Sequence, residues 1–315
     1  MILSGIFPGV IGLKPTSCKI ISNTFDTCTF SIQFETVPLP DYPKDLIVRL
    51  ETSRSRLAIL ATLQRLARSQ LNDLVPSVLD VGTTMTAAAK EIEYLVTPYF
   101  TGTISLEDVW NTLDQTHQLE VVDSVILAVD KLQKLDLGNL SQSLAGTPYI
   151  STNDAPPQPV KIAIGGPALG YFPDVKEFLG GLLQASNQKP PGCKLLEIDC
   201  GITLQSAYAD IGRIDLSRSD LDELQHHAVF CHNDLEPRNI LVRETSSGKY
   251  ELAGVIDWER AGFFPFSYEY GLKDTILGSS NLYFSWYTMF KTQASHLLPR
   301  AECHVKLIKA LPDYR

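Results

Sequence analysis

The sequence has no surplus of basic charge: 27 Lys and Arg stand against 36 Asp and Glu, a formal net charge of −9. A nucleic-acid binder needs a basic footprint to displace counterions from phosphates, so this balance argues against that class of partner. The six cysteines are scattered, with no C-x-x-C pair and no histidine at finger spacing. A zinc clip or a disulfide framework is therefore not expected, and reduced thiols are. No uninterrupted apolar run of about 18 residues occurs, so no membrane-spanning helix is expected. The opening MILSGIFPGVIGL is apolar but has no basic n-region and contains Pro8, which predicts a segment packed on the fold rather than a leader. Neither a solenoid period nor a low-complexity run is present. What remains is a globular composition, 44% hydrophobic and 20% charged, expected in the cytosol with a neutral or cationic small molecule as partner.

At 315 residues the chain exceeds the usual size of a single core, which predicts two lobes. The runs CKIIS, CTFSIQFE and DLIVRLE, separated by turn-prone residues and by Pro38, Pro40 and Pro43, read as an antiparallel meander. From Arg54 to about Asn72, Leu57, Leu60, Leu63, Leu66, Ala67 and Leu71 recur at helical spacing. VPSVLDVGT and EIEYLVTPYF would complete a five-stranded sheet, making residues 1–97 a small lobe of sheet plus helix. Pro98 and Gly102 suit a hinge over 98–102. Beyond it, Ser105 and Asp108 resemble a capping box, and Val122 to Leu132 mark a longer amphipathic helix. Residues 103–315 are expected to form a larger, mainly helical lobe, with an ordered Gly- and Pro-rich loop over about 139–173.

The segment AVFCHNDLEPRNILVRETSSGKYELAGVIDWERAG concentrates the chemistry. An apolar strand enters a polar loop, leaves through Ile240, Leu241 and Val242, turns at Ser247 and Gly248, and returns through Leu252 to Ile256. Asp234, Asn239 and Asp257 thereby fall at the ends of apolar strands, two carboxylates and an amide on rigid supports. Phosphoryl transfer asks for hard oxygen ligands for Mg²⁺ and for a group that orients a hydroxyl, and these residue types supply both. His232 reads as a loop-organising hydrogen-bonder, and Trp258 as a packing residue. Glu236, Arg238, Glu259 and Glu269 stay open between substrate contact and ordinary surface charge.

The pattern H-N-D-L-x-x-x-N followed by I-D-W-E resembles the catalytic and metal-binding loops of the aminoglycoside phosphotransferase/choline kinase family. IAIGGPALGYFPDVKEFL and AGFFPFSYEY are similar to its fungal branch, so the likeness runs from about Leu46 onward. It implies an α+β, two-lobed protein-kinase-like fold with a small antiparallel-sheet N-lobe. It also implies ATP and Mg²⁺ as cofactors, Asp234 as the catalytic residue, and Asn239 and Asp257 as metal ligands. The third strand offers Arg49 where the family has a phosphate-binding lysine.

Two expected parts are missing. The helix after that strand has Ile59 or Leu60 where the resemblance puts a glutamate, and the nearest acid is Glu51 on the strand itself. The first turn, SNTFDTC, has no glycine to bring backbone close to a phosphate. Two readings follow. One is a small-molecule phosphotransferase divergent in its nucleotide-gripping lobe. The other is a kinase-fold protein used for other acid–base chemistry, or as a binding module.

Overall fold

The computed structural model describes residues 2–7, 15–52, 56–135, 164–185, 193–206, 212–273 and 283–311. Most of the expected loop over 139–173 lies outside these residues. The chain divides into two compact units, one of residues 1–106 with 240–258, the other of 107–239 with 259–315.

The first unit is built on an antiparallel five-stranded sheet of order β1-β2-β3-β5-β4. Its strands are β1 (Pro15–Asn23), β2 (Thr27–Phe34), β3 (Asp45–Thr52), β4 (Asp80–Met85) and β5 (Glu91–Pro98). Strand alternation gives the sheet two different faces. Leu46 and Val48 of β3 join Tyr94 and Val96 of β5, Phe30, and Ile6 of the short helix α1 (Ile2–Ile6) in an apolar core. The register pairs Val48 with Val96 and Leu50 with Tyr94 on that side. The alternate residues, Arg49 opposite Leu95 and Glu51 opposite Glu93, take the other face. Helix α2 (Arg56–Leu71) packs on the sheet through β4 and β5, burying Leu57, Leu60, Leu63 and Ala67.

Strand β4 begins at Asp80, five residues later than VPSVLDVGT suggests. The reason lies in α2. Gln64 Nε2 donates to the Pro76 carbonyl (2.8 Å), and Arg68 Nη1 donates to the Val75 carbonyl. Those carbonyls serve as acceptors for the helix side chains, and Pro76 has no N–H for a ladder.

The expected hairpin is present in the same unit. Strand β13 (Ile240–Glu244) pairs with β14 (Tyr250–Val255) from Ile240↔Val255 to Glu244↔Tyr250, and with β6 (Ile104–Ser105) on its other side. Its turn is closed by Thr245 and Lys249, with Gly248 at φ +75°.

The second unit holds α3 (Leu106–Val109, whose first residue belongs to the first unit), α4 (Gln115–Leu132), α5 (Val175–Ala185), α6 (Arg218–His226), α7 (Phe266–Leu272), α8 (Phe284–Ala294) and α9 (Glu302–Ala310). Asp114 caps α4 by accepting the His117 amide (2.9 Å). Two small sheets accompany the helices. One is β11-β10-β9 (Arg213–Ser217, Gly201–Ser206, Cys193–Ile198), and the other is β12-β15-β7-β8 (Ala228–Cys231, Gly262–Pro265, Ile164–Gly166, Gly170–Phe172). In the second sheet Gly262 lies against Gly165, where an added Cβ would stand 2.1 Å from the Gly165 carbonyl oxygen. The close approach explains the glycines there.

Candidate active site

Strand β12 (AVFC) is apolar and buried, and it delivers the chain into a loop whose polar residues are buried too: His232, Asn233, Asp234 and Asn239. Buried polar groups need partners, and here the partners fix the loop. The Asp234 amide donates to His232 Nδ1 (3.2 Å), so His232 organises the loop from within. Asn239, in a 3₁₀ turn over Pro237–Asn239, donates its Nδ2 to the Asp234 carbonyl (2.9 Å) and to Asp234 Oδ2 (2.8 Å). Arg238 Nη2 lies 3.3 Å from Asp234 Oδ1, while its Nη1 lies 3.4 Å from Glu236 Oε2. Asp234 and Asn239 are thus brought into direct contact, with the carboxylate held on one side by an amide and on the other by a half-exposed guanidinium.

Helix α7 and the residue after it support this loop from beneath. Glu269 accepts the backbone amides of His232 (3.3 Å, Oε2) and Asn233 (3.0 Å, Oε1). Lys273, four residues on, donates Nζ to the Leu235 carbonyl (2.8 Å) and lies over the Phe290 ring at 5.5 Å. Both side chains are almost fully buried. Burial pushes the Glu269 carboxyl up and the Lys273 ammonium down, and each charge partly offsets the other's shift. Burial, with Glu269 nearby, also raises the Cys231 thiol well above its usual range, so that thiol is a neutral packing group. Asp234 is therefore bracketed, with the residues before it held by an anion and the residue after it by a cation. Sequence reasoning left Glu269 open and passed over Lys273. Their i, i+4 spacing was the available signal.

Within the first unit, Arg49 and Asp257 meet. Arg49 Nη1 is 3.5 Å from Asp257 Oδ1, and its opposite edge grips Glu51: Nε and Nη2 lie 2.8 and 2.7 Å from the same oxygen, Oε1. The acid that pairs with Arg49 thus comes from its own strand. Glu93, directly across from Glu51, accepts the Leu57 amide at the start of α2 (2.9 Å). Asp257 sits at φ +63°, a conformation few non-glycine residues adopt and one that concentrates at functional sites. Trp258 after it is buried and donates Nε1 to the Val255 carbonyl (3.0 Å), a packing role.

The donor chemistry fits a hard cation. Asn239 commits its amide nitrogen to Asp234, which leaves Oδ1 as the oxygen it could offer a cation, and the Asp257 carboxylate is about one-third exposed. Among the described residues no group of three His, Cys, Asp or Glu could hold a metal by itself. Mg²⁺ does not require one, because it is commonly bound by one or two protein oxygens with waters and substrate phosphates. The first turn, between β1 and β2, is tied by hydroxyls: the Thr27 amide donates to Thr24 Oγ1 (3.1 Å), and Phe25 at its tip is fully exposed. No helix among the described residues is long and apolar enough to cross a membrane.

A family model described as "Phosphotransferase enzyme family" matches residues 36–272. None of the curated proteins matches the chain. Among solved structures, the aminoglycoside phosphotransferase APH(2'')-Ib with ADP bound aligns over 95% of this chain and 82% of its own, at 13% identity and a TM-score of 0.47. The macrolide 2'-phosphotransferase MphH from Brachybacterium faecium aligns over 95% and 85%, at 13% identity and 0.49. Spectinomycin phosphotransferase APH(9)-Ia, in complex with ADP and spectinomycin, aligns over 95% and 83%, at 12% and 0.40. With likenesses this distant, the family match is the finding that identifies the chain.

Proposed function

The chain belongs to the phosphotransferase enzyme family, whose model spans 36–272, and from that premise we propose that it transfers a phosphoryl group from ATP to a hydroxyl of a small molecule. The observation that carries the reading is the buried Asp234 carboxylate held by Asn239 and Arg238. In phosphoryl transfer the protein contributes mainly position and charge. Asp234 orients the acceptor hydroxyl and takes its proton, and the fixed loop removes the reorganisation that a mobile carboxylate would need. Asn239 and Asp257 hold Mg²⁺, which neutralises charge on the phosphates when bound. Arg49 contacts phosphate from β3. The likeness of IAIGGPALGYFPDVKEFL and AGFFPFSYEY to the fungal branch supports placing the chain there, and residues 98–102 serve as the hinge between lobes. An acidic chain favours a neutral or cationic acceptor.

A second reading draws on the first turn, which has no glycine to approach a phosphate, and on α2, which has no acid at Ile59 or Leu60. On it the fold performs other acid–base chemistry or only binds. The discriminating experiment titrates the protein with ADP and Mg²⁺ by calorimetry, then follows ADP release from ATP across a panel of small alcohols. Nucleotide binding with turnover, both lost in Asp257→Ala, is the expected result. Binding without turnover on any alcohol favours the binding module. Absence of nucleotide and metal binding favours the repurposed enzyme.

A further inference from the structure

The Arg49 guanidinium is held unequally on its two edges. On one, Nε and Nη2 converge on Glu51 Oε1 at 2.8 and 2.7 Å, inside hydrogen-bond range, and Glu51 is only 6% exposed. On the other, Nη1 stands 3.5 Å from Asp257 Oδ1, beyond that range, and the Asp257 side chain is 35% exposed. A buried, short contact between opposite charges is strong, whereas a long, solvated one is weak.

The strong contact is also enforced by what surrounds it. Glu51 lies directly opposite Glu93 in the sheet, and Glu93 is buried as well. Two carboxylates facing each other across antiparallel strands repel, the more so out of water. Glu93 is engaged by the Leu57 amide, and Arg56 Nη1 reaches Glu51 Oε2 only at 4.0 Å. Arg49 is therefore the close counter-charge of Glu51, and releasing it would leave a buried anion beside another.

Resting on the phosphotransferase reading, we propose that Glu51 is the positioning residue that locks Arg49 from within its own strand, and that Arg49 Nη1 screens Asp257 until a metal–nucleotide complex takes its place. The acid two residues along β3 does the work for which kinase-like sites use a glutamate on the following helix, so the grip on phosphate does not depend on α2. When Mg²⁺ and nucleotide arrive, Asp257 exchanges Nη1 for the cation and Nη1 exchanges Asp257 for a phosphate oxygen. No charge is left unpaired at either end of the exchange.

This predicts effects of opposite sign from one substitution. Binding of Mn²⁺ alone, read by electron paramagnetic resonance, and of ADP with Mg²⁺, read by calorimetry, are measured in parent, Arg49→Met, Glu51→Gln and Asp257→Ala. Arg49→Met should bind Mn²⁺ alone several-fold more tightly, because Asp257 has lost the Arg49 charge beside it. It should bind ADP with Mg²⁺ about tenfold to a hundredfold more weakly, the loss typical of a charge-assisted hydrogen bond. Glu51→Gln should weaken ADP about tenfold without tightening Mn²⁺. Since Arg49→Met alone strands Glu51, the double variant Arg49→Met, Glu51→Met serves as the folding-competent control and should also bind Mn²⁺ more tightly than the parent. Unchanged or weaker Mn²⁺ binding in both Arg49 variants overturns the screening role, and unchanged ADP affinity in Glu51→Gln overturns the positioning role. If the parent binds ADP and Asp257→Ala does not, while the Arg49 variants behave as the parent, this inference alone fails. If the parent binds neither probe, the phosphotransferase reading fails, and this inference fails with it.

Discussion

The Asp234 loop and the β1–β2 turn differ in how many partners determine them. The loop is buried, and most polar groups around Asp234 have an assigned partner: Glu269 and Lys273 from beneath, His232 and Asn239 within the loop, and the Arg260 carbonyl for Asn233 Nδ2. The turn is solvent-exposed at its tip and is tied by Thr24 and Thr27 within itself, with the Asp26 carbonyl accepting the Thr52 amide of β3 (3.1 Å). On the phosphotransferase reading, such a contrast fits a molecule whose proposed acid–base geometry must be rigid while the turn that would cover a nucleotide is free to diverge.

The largest effect that would break this comparison is on turnover. Asp234→Asn keeps the shape and the contact with Asn239 but removes the charge proposed to accept the hydroxyl proton. With ADP and Mg²⁺ the variant should bind nearly as the parent does, while phosphoryl transfer falls by roughly 10²–10⁴-fold. Calorimetry and a coupled ADP assay on the same preparation measure both. Equal turnover in variant and parent would make Asp234 a structural loop residue and the loop's rigidity irrelevant to chemistry.

Next in size is the support beneath the loop. Lys273→Met removes the cation that offsets Glu269 and leaves the Leu235 carbonyl without its donor. Leaving the buried Glu269 without the cation that offsets it should cost about 3–5 kcal/mol, to be read from urea unfolding. The double variant Glu269→Gln, Lys273→Met removes both charges and should recover much of that loss, because what destabilises is the stranded charge. If Lys273→Met alone is as stable as the parent, the pair is not what determines the loop.

Much of the loop was legible in the sequence because its signals are local. HNDLEPRN places polar residues between apolar runs, and Ser247 with Gly248 between Val242 and Leu252 marks the hairpin that β13 and β14 form. The supports were not legible, because they depend on burial. Glu269 stayed open and Lys273 was passed over, because nothing in the local sequence shows that β15 and α7 carry the two inward. Glu51 looked like a stray strand acid because its meaning comes from Arg49 on the same face and from Glu93 across the sheet. The meander β9–β11 escaped notice as well: CKLLEI, GITLQS and RIDLS are short and only loosely alternating, and tertiary contacts decide such segments.

The smallest effect tests the other side of the comparison. None of Asn23 to Thr27 has a positive φ, so the turn is built from conformations open to any residue, and the missing glycine costs its backbone nothing. What the turn lacks is only the close approach to phosphate that glycine permits. Phe25 at its tip is fully exposed and buries no surface that substitution would forfeit. Phe25→Ala should therefore leave the unfolding free energy within about 0.5 kcal/mol of the parent. If the turn is idle toward nucleotide, ADP affinity in the presence of Mg²⁺ should also be unchanged. A tenfold loss of that affinity with unchanged stability would mean that the phenyl ring folds over the bound nucleotide and replaces glycine's backbone contacts with aromatic surface, making the turn a working part of the site. Unchanged affinity would leave nucleotide retention to the proposed contacts of Arg49, Asn239 and Asp257, a grip built from charge and coordination rather than from a backbone cradle.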